Sequence, residues 1–300
     1  MKNNLTTKST LANLNINENT LSQKHKSDLL ENGYCLIHLT DQEWKKRSID
    51  LNIVSETIDE LINAEGWKGG WDHIKGDIKK GQHPEKGAQR LNKLIVKHEQ
   101  FKKLITLPEA LAASSLLMND EIALSQIISR MPFKGEGEQA WHVDWIPKKK
   151  ISDPIMSVLT FICLDDFNRE NGATRVIPGS HKYLKAPDKD NLYFQDHPDQ
   201  VYIEAKRGTL FICDVNLWHA GSKNLNGKKR RYINIAYRNR KIWQHLNYKK
   251  ELSDAFIENL TPEEKYLLKV RSVDPERNDW AYNHRNNFFI KKYYNFLWSL

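Results

Sequence analysis

The sequence predicts a mainly β fold with helices added at both ends. Short apolar runs rich in Val, Ile, Phe and Tyr recur between about residues 121 and 240, separated by Gly, Pro, Asn and Asp. That rhythm suits a sandwich or barrel of short strands. Helix-period apolar faces and N-cap signals lie on either side of it. No internal repeat or low-complexity linker divides the chain. One domain over 21–300 is therefore expected, with a β core at about 121–240, a helical extension over 241–300 and a disordered tail over 1–20.

In chain order, residues 22–32 read as a short helix closed by Gly33, and 34–39 as a strand. Thr40-Asp41-Gln42-Glu43 is a capping box with Thr40 as N-cap and Glu43 at N3. It predicts one helix to about residue 64, whose apolar face is Ile49, Leu51, Val54, Ile58, Leu61 and Ile62. Residues 65–86 set glycines among Trp67, Trp71, His73 and His83. Such a loop reads either as a lid or substrate wall, with Trp71 facing substrate, or as an ordinary loop whose tryptophans pack on the core. Residues 89–118 are helical in character. Strands are expected at 122–131, 140–145, 155–164, 173–177, 201–205, 209–213 and 231–238. Thr261-Pro262-Glu263-Glu264 opens a further helix, with Pro262 at N1. The last residues carry Phe288, Phe289, Tyr293, Tyr294 and Trp298, which need covering by the chain's own sheet or by a second copy. Monomer and homodimer both fit.

Composition narrows the function classes. With 300 residues, 39% hydrophobic and 28% charged, the chain is long enough for a sizeable core and polar enough for a soluble globular protein. No apolar run approaches the ~20 residues of a membrane span. Residues 1–18 lack the apolar stretch and cleavage site of a secretory leader. Cys35, Cys163 and Cys213 each sit in an apolar, strand-like segment without a CxxC, as expected for reduced, buried thiols in a cytoplasmic protein. The net charge of +8 is spread along the whole chain. It reads as a solvated basic surface, or as preference for an anionic small substrate. No nucleic-acid-binding motif accompanies it, and neither a nucleic-acid nor a membrane partner is expected.

The chemistry centres on Trp141-His142-Val143-Asp144. On an extended segment His142 and Asp144 point to the same side, because side chains alternate with period 2. An imidazole nitrogen and a carboxylate oxygen then reach one metal ion. His219, in Leu217-Trp218-His219-Ala220-Gly221, is the best third ligand. Two histidines and one carboxylate on one face suit Fe(II), with open positions for a chelating co-substrate and O2.

Between these ligands lies Asn171-Gly172-Ala173-Thr174-Arg175-Val176-Ile177-Pro178-Gly179-Ser180-His181, and after His219 comes the basic run Lys228-Lys229-Arg230-Arg231 entering a strand. With W-H-x-D, N-G-x-x-x-x-x-P-G-S-H, H-x-G and a basic pair in this order, the sequence resembles the phytanoyl-CoA dioxygenase family of Fe(II)/2-oxoglutarate oxygenases, over roughly 29–240. The resemblance implies a double-stranded β-helix, a jelly-roll form, with His142, Asp144 and His219 as metal and catalytic residues. It implies Fe(II) as cofactor, 2-oxoglutarate and O2 as co-substrates, and succinate and CO2 as products. The expected reaction hydroxylates an unactivated C–H bond of a small, polar or anionic metabolite or natural-product intermediate. Desaturation, cyclisation or oxidative N-dealkylation by the same oxidant, and a non-catalytic binding protein on the same fold, are the alternatives.

The distal carboxylate of 2-oxoglutarate calls for an arginine. The family's spacing from the distal histidine places it at Arg230, with Arg231 the alternative, since neighbours on a strand face opposite ways. Gln126 and Arg130 share one strand face, and if that face lines the barrel both would touch 2-oxoglutarate or substrate. Trp141 and Trp145 flank the metal pair and read as pocket walls or as core. His181 resembles a ligand, but in the family its segment follows a tight turn and is structural. Asn171 and Gly172 make that turn. Asp165, Asp166 and Asp214 fall outside the matching blocks.

Overall fold

The computed structural model describes residues 5–65, 88–119, 121–187 and 195–274. Trp71, most of the glycine-rich loop and the aromatic C-terminal segment lie outside them.

Nine strands form two antiparallel sheets: β1 Tyr34–His38, β2 Ala88–Leu91, β3 Ile122–Pro132, β4 Ser157–Cys163, β5 Arg175–Val176, β6 Val201–Tyr202, β7 Thr209–Asp214, β8 His219–Ala220 and β9 Tyr232–Asn239 among the described residues. The major sheet runs β1-β7-β4-β9-β3-β2 and the minor sheet β6-β5-β8. They oppose each other as the expected jelly-roll form without closing into a barrel. Helices α1 Thr7–Asn13, α2 Gln23–Glu31, α3 Asp41–Lys46, α4 Leu51–Glu65, α5 Glu99–Lys103, α6 Pro108–Met118, α7 Tyr248–Glu251, α8 Asp254–Glu258 and α9 Pro262–Leu268 flank the sheets.

The major sheet is covered on both faces. On one, Val158 and Ile162 of β4, Leu210 and Ile212 of β7, and Ile233, Ile235 and Tyr237 of β9 pack with Leu29 of α2, Leu111 of α6 and Leu267 of α9. On the other, Leu159, Phe161, Phe211, Cys213, Tyr232 and Ala236 meet Phe167, Val176, Ile203 and Leu217 between the sheets. Strands buried on both faces read as continuous apolar runs, and every residue of β4 is buried. All three cysteines are free and buried, and among the described residues no helix is long and apolar enough to cross a membrane.

Several sequence expectations need correction. The tail over 1–20 contains α1, started by the Thr6/Ser9 capping box. It is tied down by Thr7, whose Oγ1 accepts from the Ile122 amide at 2.9 Å and lies 2.8 Å from the Tyr266 hydroxyl. The single helix from Thr40 is two. The Thr40/Glu43 box starts α3 as expected, but Ser48 turns left-handed at φ 58° before α4 begins. The helical reading of 89–118 misses β2, which pairs with β3 through Leu91↔Ser129. The expected strand over 140–145 is reduced to one bridge, His142↔His219. The next paired amide, that of Asp144, donates to Val215 O at 3.1 Å instead of continuing beside β8.

Gly208 sets the start of β7. Its φ is +86°, and an added Cβ would sit 2.5 Å from Leu39 O and 3.1 Å from Trp44 Nε1, which itself donates to Gly208 O. Gly208→Ala combines left-handed strain with a backbone clash, so it should cost about 1–3 kcal/mol in urea unfolding. A variant within about 0.5 kcal/mol of wild type would show that the turn can rearrange at no cost.

Candidate metal centre and co-substrate pocket

The short segment 141–144 and β8 hold each other through a reciprocal backbone pair. His142 N donates to His219 O at 3.0 Å and His219 N to His142 O at 3.1 Å. The alternation read from the sequence survives this short ladder. Trp141, Trp218, Ala220 and Val143 pack together with Ile177 on one side. His142, Asp144 and His219 turn to the other, with ligand-type atoms all within 4.8 Å of one another. His142 Nε2 is 3.7 Å from Asp144 Oδ1 and His219 Nε2 is 3.5 Å from Asp144 Oδ2.

Each ring has its other nitrogen occupied. His142 Nδ1 lies 2.7 Å from Ala140 O and His219 Nδ1 2.9 Å from Leu217 O. A carbonyl only accepts, so in each case Nδ1 carries a proton and Nε2 is the nitrogen that faces Asp144. Burial, then the charge of His219, pushes His142 down to about 4. Burial alone would raise the Asp144 carboxyl and lower His219. Their mutual hydrogen bond and charge outweigh it, holding Asp144 well below the usual carboxylate range and His219 above the usual imidazole range. Neutral imidazole at His142 and ionised carboxylate at Asp144 are ligand-competent forms.

The P-G-S-H segment supports this arrangement from behind. Ser180 Oγ accepts from the Trp218 amide at 2.8 Å. His181 is no ligand: its Nε2 is 3.2 Å from Leu30 O, and its ring packs where a Cβ on Gly33 would stand. Gly172, at φ +85°, fits beneath Ser222 O, which an added Cβ would approach to 2.6 Å. The Asn171 amide donates to Asp166 O at 2.7 Å. These motif residues brace the loop after His219.

The two arginines entering β9 have opposite fates. Arg231 points toward α4, where its guanidinium binds Asp165 at 2.7 and 3.0 Å, Asp59 at 2.9 Å and Ser55 O at 3.0 Å. Arg230 points between the sheets, is 0% exposed, and none of its side-chain nitrogens has a hydrogen-bond partner. Its guanidinium lies over Phe167 and Tyr232, at 5.2 and 5.3 Å. Burial, then the neighbouring charge of Arg130, lowers it to about 10. Arg130 faces the same space, opposite Tyr232, with Nη2 3.1 Å from Gly137 O. Gln126, opposite Ala236, shares that face.

Trp141 is not a pocket wall. It is 3% exposed, stacks beneath Arg175 at 4.8 Å and donates its indole N–H to Gln195 O at 2.8 Å. Adjacent to an inward histidine, it has to face outward. Trp145 is half-buried and stacks with Arg238, an inward residue of β9, at 4.8 Å. Arg238 also reaches Trp243 O and His245 Nε2. The sequence reading named Trp145 but missed Arg238 and His245 beside it; an arginine at even spacing from Arg230 was the available signal. Asp165 and Asp166 serve Arg231 and Lys206.

The family model for phytanoyl-CoA dioxygenase matches residues 70–232, more than half of the chain. The chain belongs to the phytanoyl-CoA dioxygenase family. Its enzyme class is therefore the iron- and 2-oxoglutarate-dependent dioxygenases, with iron as cofactor and 2-oxoglutarate and O2 as co-substrates. The uncharacterized protein Rv1501 of Mycobacterium tuberculosis is 28% identical over 194 residues, 62% of this chain and 69% of that protein. The iron/alpha-ketoglutarate-dependent dioxygenase ausO of Aspergillus calidoustus is 29% identical over 159 residues, 51% of this chain and 53% of its own length. Among solved structures, HygX of Streptomyces hygroscopicus, with nickel, 2-oxoglutarate and hygromycin B bound, superposes with a TM-score of 0.57 at 14% identity, covering 75% of this chain and 90% of that one. At that identity the likeness is one of fold.

Asp214 forms the turn that leads to His219. Its Oδ1 accepts from Asn216 N at 2.8 Å, while Lys148 stands 3.8 Å away. Burial lifts its carboxyl to about 6, against the opposing charge of Lys148. A raised acid pKa means that the folded state holds its proton longer than the unfolded chain. This group therefore costs nothing below about pH 4, and increasingly destabilises the fold as pH rises from about 4 to 6. In Asp214→Asn, the plot of unfolding free energy against pH should lose that fall. An unchanged slope would show that Asp214 titrates normally.

Proposed function

We propose that His142, Asp144 and His219 hold Fe(II) and that Arg230 binds the distal carboxylate of 2-oxoglutarate, in an enzyme that hydroxylates a C–H bond of a small molecule. The observation that carries the reading is the orphaned guanidinium of Arg230. A buried cation without partners is costly, and a carboxylate offered to it in planar, bidentate fashion removes that cost. The donor set fits the ion: two imidazoles that present Nε2 and one carboxylate, on one face. Fe(II) bound there would supply the chemistry that lets O2 act as oxidant, one oxygen atom going to 2-oxoglutarate to give succinate and CO2 and the other to the substrate C–H bond.

The chain's own residues do the rest. The two carbonyl-locked histidines keep their lone pairs on the ion. Asp144 offsets part of its charge. Arg230, with Arg130 beside it, orients the co-substrate, while Phe161, Phe211 and Tyr232 exclude water from its path. Gln126 lines the same pocket. Trp145, stacked on Arg238, forms the substrate side. That cationic, aromatic group supports a polar or anionic small metabolite or natural-product intermediate as substrate. The hygromycin B bound by HygX is in keeping with a small-molecule substrate.

The test is binding of 2-oxoglutarate to anaerobic, Fe(II)-loaded protein, followed by the visible metal-to-ligand charge-transfer band. Wild type should give the band and His219→Ala should not. Arg230→Ala should need roughly 10- to 100-fold more 2-oxoglutarate. Arg231→Ala should bind normally but unfold more easily, because it removes the guanidinium that joins Asp165 to Asp59 and to Ser55 O. A missing wild-type band, or normal binding by Arg230→Ala, would reject the assignment.

A further inference from the structure

The metal face is open at one corner. The Asp144 side chain is 39% exposed, against 7% for His219. Trp145 follows Asp144, and its indole N–H is buried without a hydrogen-bond partner. The Arg238 guanidinium lies over the same ring at 4.8 Å. An unmet buried donor is unfavourable for the fold by itself and calls for an acceptor.

A bulge in β3 sets this group in place. The register of β3 against β9 shifts between Leu124 and Gln126, which leaves Ser125 outside the pairing. Bulges re-aim side chains in this way. Ser125 Oγ accepts from His245 N at 3.0 Å and lies 3.0 Å from His245 Nδ1. His245 Nε2 in turn lies 3.3 Å from Arg238 Nη2, and Arg238 Nη1 donates to Trp243 O at 3.2 Å. A guanidinium only donates, so His245 Nε2 accepts and steadies Arg238 without adding charge.

Position along the strand separates this cation from the co-substrate. Ser157 stands directly opposite Arg238. Ser157 O accepts from Val215 N, and Val215 O from Asp144 N. This end of β9 therefore serves the Asp144 side of the triad. Arg230 lies at the other end, and on an extended strand the two backbones stand roughly 26 Å apart. One 2-oxoglutarate cannot serve both guanidiniums. Resting on the co-substrate reading made above, we propose that Arg238 and Trp145 bind a carboxylate of the primary substrate, the guanidinium supplying charge and the indole N–H a directed hydrogen bond. Both groups only donate, and a carboxylate only accepts. One buried cation suits one negative charge, which favours a carboxylate over a phosphate dianion.

The experiment uses the full chain loaded anaerobically with Fe(II) and 2-oxoglutarate, so that the iron and Arg230 are already occupied. Benzoate is the probe and benzamide its neutral isostere, titrated calorimetrically at fixed ionic strength. Wild type should bind benzoate at least about tenfold more tightly than benzamide. Arg238→Gln should remove that preference. Trp145→Phe keeps a ring beneath Arg238 but lacks the N–H, so it should weaken benzoate about tenfold and benzamide less. It also decides the matter if Arg238→Gln does not fold. Neither variant should move the 2-oxoglutarate midpoint of the charge-transfer band more than about twofold. Benzoate binding that is absent, or no tighter than that of benzamide, overturns the inference. So does a loss of 2-oxoglutarate affinity in Arg238→Gln that matches Arg230→Ala, which makes Arg238 a co-substrate residue. If Arg230→Ala binds 2-oxoglutarate normally, the co-substrate reading falls and this inference with it.

Discussion

The reciprocal pair of backbone hydrogen bonds between His142 and His219 is the constraint on which the site depends. It joins two short segments that have almost no regular structure of their own: an isolated bridge on one side and a two-residue strand on the other. In such an antiparallel pair the two facing side chains leave the same face of the ladder. The imidazoles are then neighbours, with ring centroids 4.2 Å apart, and Asp144 follows two residues on. Much around the pair serves to keep it in register. Trp141 and Trp218 pack behind it, Ser180 holds the Trp218 amide, and the Asp214 turn feeds β8.

Buried polar groups around the sheets show a division of labour. Those that stabilise the fold are satisfied by the chain: Arg231 by Asp165 and Asp59, Trp141 by Gln195, Asn171 by Asp166. Those in the pocket, Arg230 and Asn234, retain unmet hydrogen-bonding capacity. The difference between adjacent arginines follows from strand parity alone. One residue of displacement turns a structural clasp toward α4 into an isolated charge inside the protein.

Much of this was legible in the sequence. The W-H-V-D alternation, the shared strand face of Gln126 and Arg130 and the Gly172 turn rest on local rules that the fold obeys, while the structural role of His181 followed from the family resemblance. The rest was not legible for equally local reasons. Helix periodicity continued across Ser48, and only its left-handed backbone divides α3 from α4. The alternation at 140–145 looked like a full strand, because side-chain pattern does not reveal where a ladder ends. Trp141 was open as wall or core, although the inward turn of His142 already forces it outward. The segment over 1–20 looked featureless because what orders it, Tyr266 and the Ile122 amide, lies far along the chain.

The histidine tautomers have a consequence for how this site can vary. Both rings are locked by main-chain carbonyls two residues upstream, Ala140 O and Leu217 O, where many metal sites use a carboxylate side chain. No single side-chain replacement at Ala140 or Leu217 removes the acceptor, since every amino acid carries one. The surroundings of the ligands are free to drift in sequence while proton placement on the rings is preserved. The corresponding weakness is shared failure: a shift in the path of the chain at 140–142 or 217–219 would disturb ring orientation, tautomer and ligand spacing together.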